Sequence, residues 1–344
     1  MTSRAIGLAL LIALLSGCSG GGFPPPAQTA PQAFSSDSAT IGAPHVTHQD
    51  VYWTLFAGAP YPQVQIAAAP LKTASKSTSI YSSRKNNLLD SSGMAVDSSG
   101  RLWILSYGKN SGAPTSALVF ELPLTATSIP KYTFVLSGTS GSDALAFGPS
   151  GNLWVTAPGY HEVLEYKGPF AKSGTLKPVT TITAVSNNLF GIAVDKSANV
   201  YFSLNNSRGS RSIAVEKPPY KASPYYLEGL MYPGGLIFDK HGNLYASTNG
   251  TPPAVVRYNS NHLQSGDKPN IVDPTGVPAG SYEAAFALTA KGDLYAANCG
   301  NAKTAGIDVW PLGSKTFSAR LAPSVLYTNS NLRLVGCAWG IAIK

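Results

Sequence analysis

One eleven-residue pattern occurs five times in this chain, and its opening half closes the C-terminus. The five copies are Gly93-Met-Ala-Val-Asp97-Ser-Ser-Gly-Arg-Leu-Trp103, Ala144-Leu-Ala-Phe-Gly148-Pro-Ser-Gly-Asn-Leu-Trp154, Gly191-Ile-Ala-Val-Asp195-Lys-Ser-Ala-Asn-Val-Tyr201, Gly235-Leu-Ile-Phe-Asp239-Lys-His-Gly-Asn-Leu-Tyr245 and Ala285-Phe-Ala-Leu-Thr289-Ala-Lys-Gly-Asp-Leu-Tyr295. The half copy is Gly340-Ile-Ala-Ile-Lys344. Their middle residues, at 95, 146, 193, 237, 287 and 342, recur every 44 to 55 residues. Repeats of that period belong to propellers and solenoids, in which each unit buries its apolar faces only against its neighbours.

Each copy resolves into strands. An apolar triplet without alternation is the signature of a strand buried on both faces. The small middle residue, Ala in five of the six, suits strands crowded around an axis. After a turn comes a second strand carrying Trp103, Trp154, Tyr201, Tyr245 or Tyr295. A third strand reads Ala117-Leu-Val-Phe, Glu162-Val-Leu-Glu-Tyr, Ile213-Ala-Val-Glu, Ala254-Val-Val-Arg-Tyr and Ile307-Asp-Val-Trp. A variable fourth is expected at segments such as 177–182 and 323–327. Near the N-terminus, 51–56, 64–66 and 77–81 read as second, third and fourth strands whose first strand is missing. Gly340 to Lys344 supplies it. The expected fold is therefore all-β, a six-bladed propeller of four-stranded blades, closed by pairing the C-terminal strand with N-terminal strands. Such closure removes two sheet edges.

The core Gly-Ile-Ala-Val-Asp-x-x-Gly-Asn-Leu-Tyr resembles the NHL repeat, and more broadly the propellers grouped with streptogramin lyases and the senescence-marker/gluconolactonase proteins. The resemblance covers roughly residues 50–344. It implies a fold and leaves activity open, because that group contains both binders and enzymes.

The first 17 residues read as a signal peptide: Arg4, then an apolar run from Ala5 to Leu15. Leu15-Ser16-Gly17-Cys18 resembles the lipobox of bacterial lipoproteins, which implies acylation of Cys18 and a bilayer as partner. Ser19 follows in place of the aspartate that retains such proteins at the inner membrane, so the expected location is the outer membrane where a cell has two, and the cell surface otherwise. Residues 18–43, rich in Gly, Pro and Ser with Asp37 as the one charge, read as a flexible tether. Residues 44–344 form a single propeller domain, expected to be a monomer.

Removing residues 1–17 takes away one basic side chain, Arg4, and no acidic one, so 25 basic residues become 24 against 17 acidic, a net of +7. The basic residues are scattered along the sequence without an aromatic-interleaved stripe, which argues against nucleic acid as a partner. With Cys18 acylated, Cys299 and Cys337 remain as an even pair in an exported chain, and a disulfide between them is expected.

Asp97, Asp195 and Asp239 recur at the end of a first strand, where a carboxylate bonds turn backbone; the reading is structural. Ligands of propellers meet the rim where chains enter the first strand and leave the second. Candidate ligand-binding residues there are Asp90, Asp143, Asn188, Tyr232, Glu283, His161 and Asn298. Asp143, Asn188 and Glu283 imitate the Glu, Asn and Asp set that the gluconolactonase resemblance implies for a central metal, with Ca²⁺ or another divalent cation as ligand. No cofactor is otherwise expected. No Gly-x-Ser-x-Gly elbow, Walker-type loop or Cys-x-x-Cys pair occurs. The reading of the residues is a binding platform for a protein, peptide or glycan, with no catalytic residue assigned. The alternative is a metal-dependent lactonase or lyase.

Overall fold

The computed structural model describes residues 50–56, 65–70, 78–82, 89–107, 113–124, 128–142, 144–183, 189–205, 211–248, 253–273, 282–299, 306–310, 325–328 and 337–344. The chain opens with β1 (Asp50–Phe56), β2 (Gln65–Pro70) and β3 (Thr78–Ser82). A second group is β4 (Leu89–Val96), β5 (Leu102–Tyr107), β6 (Ser116–Phe120) and β7 (Tyr132–Leu136). Then come β8 (Leu145–Phe147), β9 (Leu153–Ala157), β10 (Glu162–Tyr166), β11 (Gly174–Leu176) and β12 (Thr180–Thr183). The fourth group is β13 (Leu189–Val194), β14 (Val200–Asn205), β15 (Arg211–Glu216) and β16 (Tyr225–Leu227). The fifth is β17 (Pro233–Phe238), β18 (Leu244–Thr248), β19 (Ala254–Tyr258) and β20 (Ile271–Asp273). The last is β21 (Tyr282–Leu288), β22 (Leu294–Cys299), β23 (Gly306–Trp310) and β24 (Val325–Thr328), followed by β25 (Cys337–Ile343).

These strands form six sheets, and their order confirms the closure expected from the half copy. The first sheet runs β25-β1-β2-β3, so its innermost strand comes from the C-terminus. Val51 pairs with Ile343 and Phe56 with Cys337, antiparallel. The inner strands β4, β8, β13, β17, β21 and β25 each touch the next, and β25 touches β4, completing the ring. One strand was not foreseen. β11 adds to β7 of the preceding blade in parallel, making that sheet five-stranded. Pro178 lacks an N–H, so the run expected at 177–182 pairs with β10 only from Val179 onward, whose N–H donates to Glu165 O at 2.8 Å. The segment before it is released to the neighbouring sheet.

The core consists of six clusters, each lying between two adjacent blades. The aromatic of each second strand faces the seam with the following blade: Tyr52, Trp103, Trp154, Tyr201, Tyr245 and Tyr295 each belong to a different cluster. Directly across the strand pair from each lies the middle residue of the inner triplet, Ala in five of the six. The partners are Ala342 for Tyr52, Ala95 for Trp103, Ala146 for Trp154, Ala193 for Tyr201, Ile237 for Tyr245 and Ala287 for Tyr295. The alanines thus answer to the ring opposite them: large-against-small pairing fills the seam at interior density without strain. Burying each aromatic contributes about 1.5–3 kcal/mol.

Buried hydroxyls tie the seams together. Ser203 Oγ accepts the Gly191 N–H of its own blade at 2.6 Å and donates to Gly234 O of the next blade at 3.0 Å. Thr54 Oγ1 does the same with the Gly340 N–H at 2.9 Å and Ser92 O at 3.1 Å. Ser92 in turn donates to the Ser142 carbonyl. Each of these inner strands carries a bulge at that level, which frees the N–H for the hydroxyl.

The turn after each inner strand needs one left-handed residue. Gly100, Gly151, Gly242 and Gly292 supply it at φ of 75°, 77°, 82° and 96°, but in blade four the residue is Ala198 at φ 61°. A Cβ costs about 1–2 kcal/mol in that conformation, part of which glycine returns through its larger unfolded-state entropy. Ala198→Gly is therefore expected to stabilise the domain by about 0.5–1 kcal/mol in urea unfolding, whereas Ala146→Gly, in a strand, destabilises it.

Candidate functional site

The inner strands begin and the second strands end at one face, the rim; the turns between them lie at the other. At the turn face the recurring carboxylates are consumed by structure. Asp97 Oδ1 accepts the N–H groups of Ser99 and Arg101, both at 2.9 Å. Its Oδ2 accepts Arg101 Nε at 2.7 Å and the Trp103 indole N–H at 2.9 Å. Asp195 takes the N–H groups of Ser197 and Asn199 at 2.8 Å, the Asn199 amide at 2.7 Å and the Tyr201 hydroxyl at 3.3 Å. Asp239 holds His241 and Asn243 in the same way. One carboxylate therefore closes the turn and anchors the polar tip of the aromatic that fills the seam. Where Gly148 stands instead, the space is taken by the Trp154 indole: an added Cβ would lie 3.3 Å from its Nε1. Thr289 substitutes a hydroxyl, accepting the Asp293 N–H at 3.0 Å.

Burial raises the pKa of Asp97, but the Arg101 N–H, the Trp103 indole and the Arg101 guanidinium outweigh it, holding the carboxyl below its ordinary value of 3.8. These three aspartates are structural, as their spacing implied.

At the rim, the expected residues divide. Asp143 and Asn188 of the three-residue metal set lie outside the described residues. Asp90 and Glu283 lie in β4 and β21, and their side chains are likewise outside the described set. Glu283 is the register partner of Asn298. Asn298 itself is fully buried; its amide donates to Asp308 Oδ2 at 2.7 Å, and its Oδ1 accepts nothing among the described residues. It holds the seam side of β22 together with Asp308 and offers no exposed ligand atom. Among the described residues no three His, Cys, Asp or Glu side chains gather as a metal site.

His161 and Tyr232 are placed at the rim. His161 follows a short 3₁₀ turn, Pro158–Tyr160, in left-handed conformation at φ 58°, with its N–H donating to Pro158 O at 3.1 Å. Tyr160 beside it is 51% exposed. Gly159 sits so close to Ser140 that a Cβ would lie 2.7 Å from its carbonyl oxygen. Tyr232, also left-handed at φ 53°, is 38% exposed, and its neighbour Met231 is 43% exposed. Thr248 Oγ1 clamps Met231 from both sides, accepting its N–H and donating to its carbonyl, each at 2.9 Å. Exposed aromatic and Met side chains thus stand on backbone fixed by close packing and hydrogen bonds. The sequence reading missed Met231; the signal available was only that it is a large apolar residue in a loop.

The repeat also locates the two cysteines. A hydroxyl two residues beyond the aromatic reaches the carbonyl one residue before the next repeat, as in Thr54 to Ser92 and Ser203 to Gly234. Two steps further along the second strand and two back along the incoming strand, Tyr107 meets Gly141, where an added Cβ would lie 3.7 Å from the Tyr107 ring. The same positions at the joint of blades six and one are Cys299 and Cys337, the last residue of β22 and the first of β25. Their side chains lie outside the described residues, and no disulfide is found among those described.

No family model and no curated protein matches the sequence. Solved structures do match the fold. A candidate 6-phosphogluconolactonase from Bacteroides fragilis superposes with a TM-score of 0.56 at 9% identity, covering 88% of this chain and 100% of that one. Its counterpart from Bacteroides uniformis gives 0.54 at 10% identity, over 86% of this chain and 99% of that one. A catalytically inactive virginiamycin B lyase from Staphylococcus aureus, solved with quinupristin, gives 0.50 at 13%, over 80% of this chain and 84% of that one. The chain is a β-propeller of the broad architectural group that the repeat resembles. At these identities the likeness is one of fold.

Proposed function

We propose that the protein is an exported lipoprotein, anchored through Cys18, whose propeller presents its rim as a rigid, non-catalytic binding platform for a protein, peptide or glycan. The observation that carries this reading is the rim itself: Tyr160, Met231 and Tyr232 are exposed on fixed backbone. Tyr and Met are enriched in recognition surfaces because they offer large contact area, and a pre-fixed backbone lowers the entropy lost on binding. The test is binding of the protein to immobilised peptide and glycan panels. Tyr160→Ala and Tyr232→Ala should each weaken a specific ligand roughly tenfold, as central aromatic anchors do; unchanged affinity would remove the rim from the account.

The second reading, a metal-dependent lactonase or lyase using Asp143, Asn188 and Glu283, is favoured by the fold likeness to proteins of those names. Chelator-stripped protein titrated with Ca²⁺, Mg²⁺, Zn²⁺ or Mn²⁺ separates the two. A saturable rise in Tm that Asp143→Ala or Glu283→Ala abolishes would favour the enzyme, since a ligand bound only by the native state stabilises it.

An exported location also permits a disulfide between Cys299 and Cys337 at the joint where the ring closes. In the chain-entropy account a loop of that length contributes about 3–4 kcal/mol. Reduction should lower stability by that order, and two free thiols counted by alkylation of the oxidised protein would refute the bond.

A further inference from the structure

The basic residues are scattered in sequence, yet the fold gathers many of them at the turn face. Lys196, Lys240 and Lys291 sit in three successive turns, and Lys344 follows the end of β25 at the same face, where other copies carry Asp97, Asp195 and Asp239. Neighbouring turns touch: Lys196 Nζ donates to Lys240 O at 3.2 Å, and a Cβ on Gly100 would lie 3.5 Å from Lys344 Nζ. Lys167 and Lys217 follow the ends of the third strands β10 and β15 at the same face. All six are exposed.

The carboxylates of this face are arranged differently. Asp97 is 6% exposed at its side chain and paired with Arg101 at 2.7 Å. Asp195 and Asp239 are half-buried, turned in to accept backbone N–H groups. Asp293 is half-buried against Thr289, and Glu121 is neutralised by Lys131. Ammonium groups therefore point outward while the four aspartates are held inward and the exposed Glu121 is paired. Among the described residues, the rim connections 113–115, 137–142, 158–161 and 228–232 contain no Lys or Arg.

A second, independent observation concerns the N-terminus. β1 rises from the turn face, because Val51 pairs with Ile343, the last residue of the strand that ends there. The segment joining Cys18 to Asp50 thus reaches the propeller on its basic side.

We infer that the turn face is a docking surface for an anionic phospholipid bilayer, which seats the propeller with its rim directed away from the membrane. This rests on the lipid-anchored reading for its orientation, but the basic face can be tested without the anchor. Each lysine brought to an anionic leaflet strengthens partitioning roughly fivefold, and anchoring through Cys18 turns that weak attraction into an intramolecular one.

The experiment uses the full chain carrying Cys18→Ser, which takes no acyl group, in sedimentation with vesicles of phosphatidylglycerol and phosphatidylcholine or of phosphatidylcholine alone. Partitioning onto the anionic vesicles should be roughly tenfold or more the stronger. It should fall away between about 0.1 M and about 0.5 M salt as screening shortens the reach of the charges. The triple variant Lys196→Glu, Lys240→Glu, Lys291→Glu should lose the preference, and its Gln counterpart should lose most of it, with melting temperatures checking that both fold. Arg84→Glu with Lys85→Glu, which precede in sequence β4, a strand that begins at the rim, should leave binding unchanged. Equal partitioning onto both vesicles overturns the inference, as does binding that survives the triple reversal or is removed by the Arg84→Glu, Lys85→Glu variant. Acylation of wild-type Cys18, read by mass, is scored separately: its failure would remove the anchor and leave the vesicle result standing.

Discussion

Replacing Gly340 by alanine is expected to destabilise the domain by about 3–5 kcal/mol, and Gly191→Ala to do likewise. A Cβ on Gly340 would stand 2.2 Å from Ser92 O and 2.9 Å from both Met94 Cγ and Thr54 Oγ1. On Gly191 it would stand 2.1 Å from Gly234 O. The obstacle in each case is the backbone of the next blade, which cannot swing aside as a flexible side chain can. Any shift that admits the methyl also opens the hydroxyl bridge at Thr54 or Ser203, leaving a buried donor or acceptor without its partner at a further cost of about 1–3 kcal/mol. The two sites differ in what they disturb. Gly191 lies within the chain-continuous part of the ring, whereas Gly340 belongs to the strand that closes it. Equilibrium urea unfolding measures both. Gly174→Ala is the control: nothing lies within 4 Å of its Cβ position, and the change should stay within about 0.5 kcal/mol. A Gly340→Ala variant as stable as this control would show that the seam is looser than its geometry indicates.

Asp97→Ala should cost about 3 kcal/mol at neutral pH, because four donors converge on one carboxylate and the arginine would keep only the Phe170 carbonyl and lose its counter-charge. The loss carries a pH signature. The folded-state pKa of Asp97 lies below its ordinary value, so its stabilising contribution is complete above about 4 and fades as pH falls through the lowered value. The stability gap between wild type and variant should therefore be widest near neutrality and narrow in acid. Asp97→Asn, which keeps the shape and loses the charge, should flatten the acid limb while retaining part of the turn. A gap that stayed constant from neutral pH down to about pH 2 would mean that the carboxylate acts through packing alone.

Much of this architecture was readable because the repeat reports local physics. An apolar triplet, a left-handed turn residue and an aromatic at fixed distance specify two strands and their register. The half copy at 340–344 requires its missing partners at the other end of the chain. The role of Asp97, Asp195 and Asp239 followed from the same spacing. The alanines opposite the aromatics were visible, but their purpose was not: sequence order cannot show that Ala95 faces Trp103 rather than the axis. β11 escaped notice for a related reason, since its partner β7 lies in another blade. The hydroxyls at Thr54 and Ser203 stood two residues past an aromatic, a pattern legible only once the carbonyls they reach are known.

The candidate rim residues show the limit most clearly. Asn298 reads as an exposed loop amide and is buried against Asp308, whereas Met231 drew no attention and stands exposed. Loop composition says what a residue can bond, but burial is decided by what the neighbouring blade covers.

By itself the sequence determined the repeat, the strand order within a blade and the need for closure, because these depend on contacts among residues near one another in the chain or related by the repeat. Only the tertiary structure decided which faces the side chains share. Five turns that are far apart in sequence, and the end of β25, meet around one axis, so lysines with no sequence neighbours come to lie on one face, and aspartates among them turn inward to bond backbone.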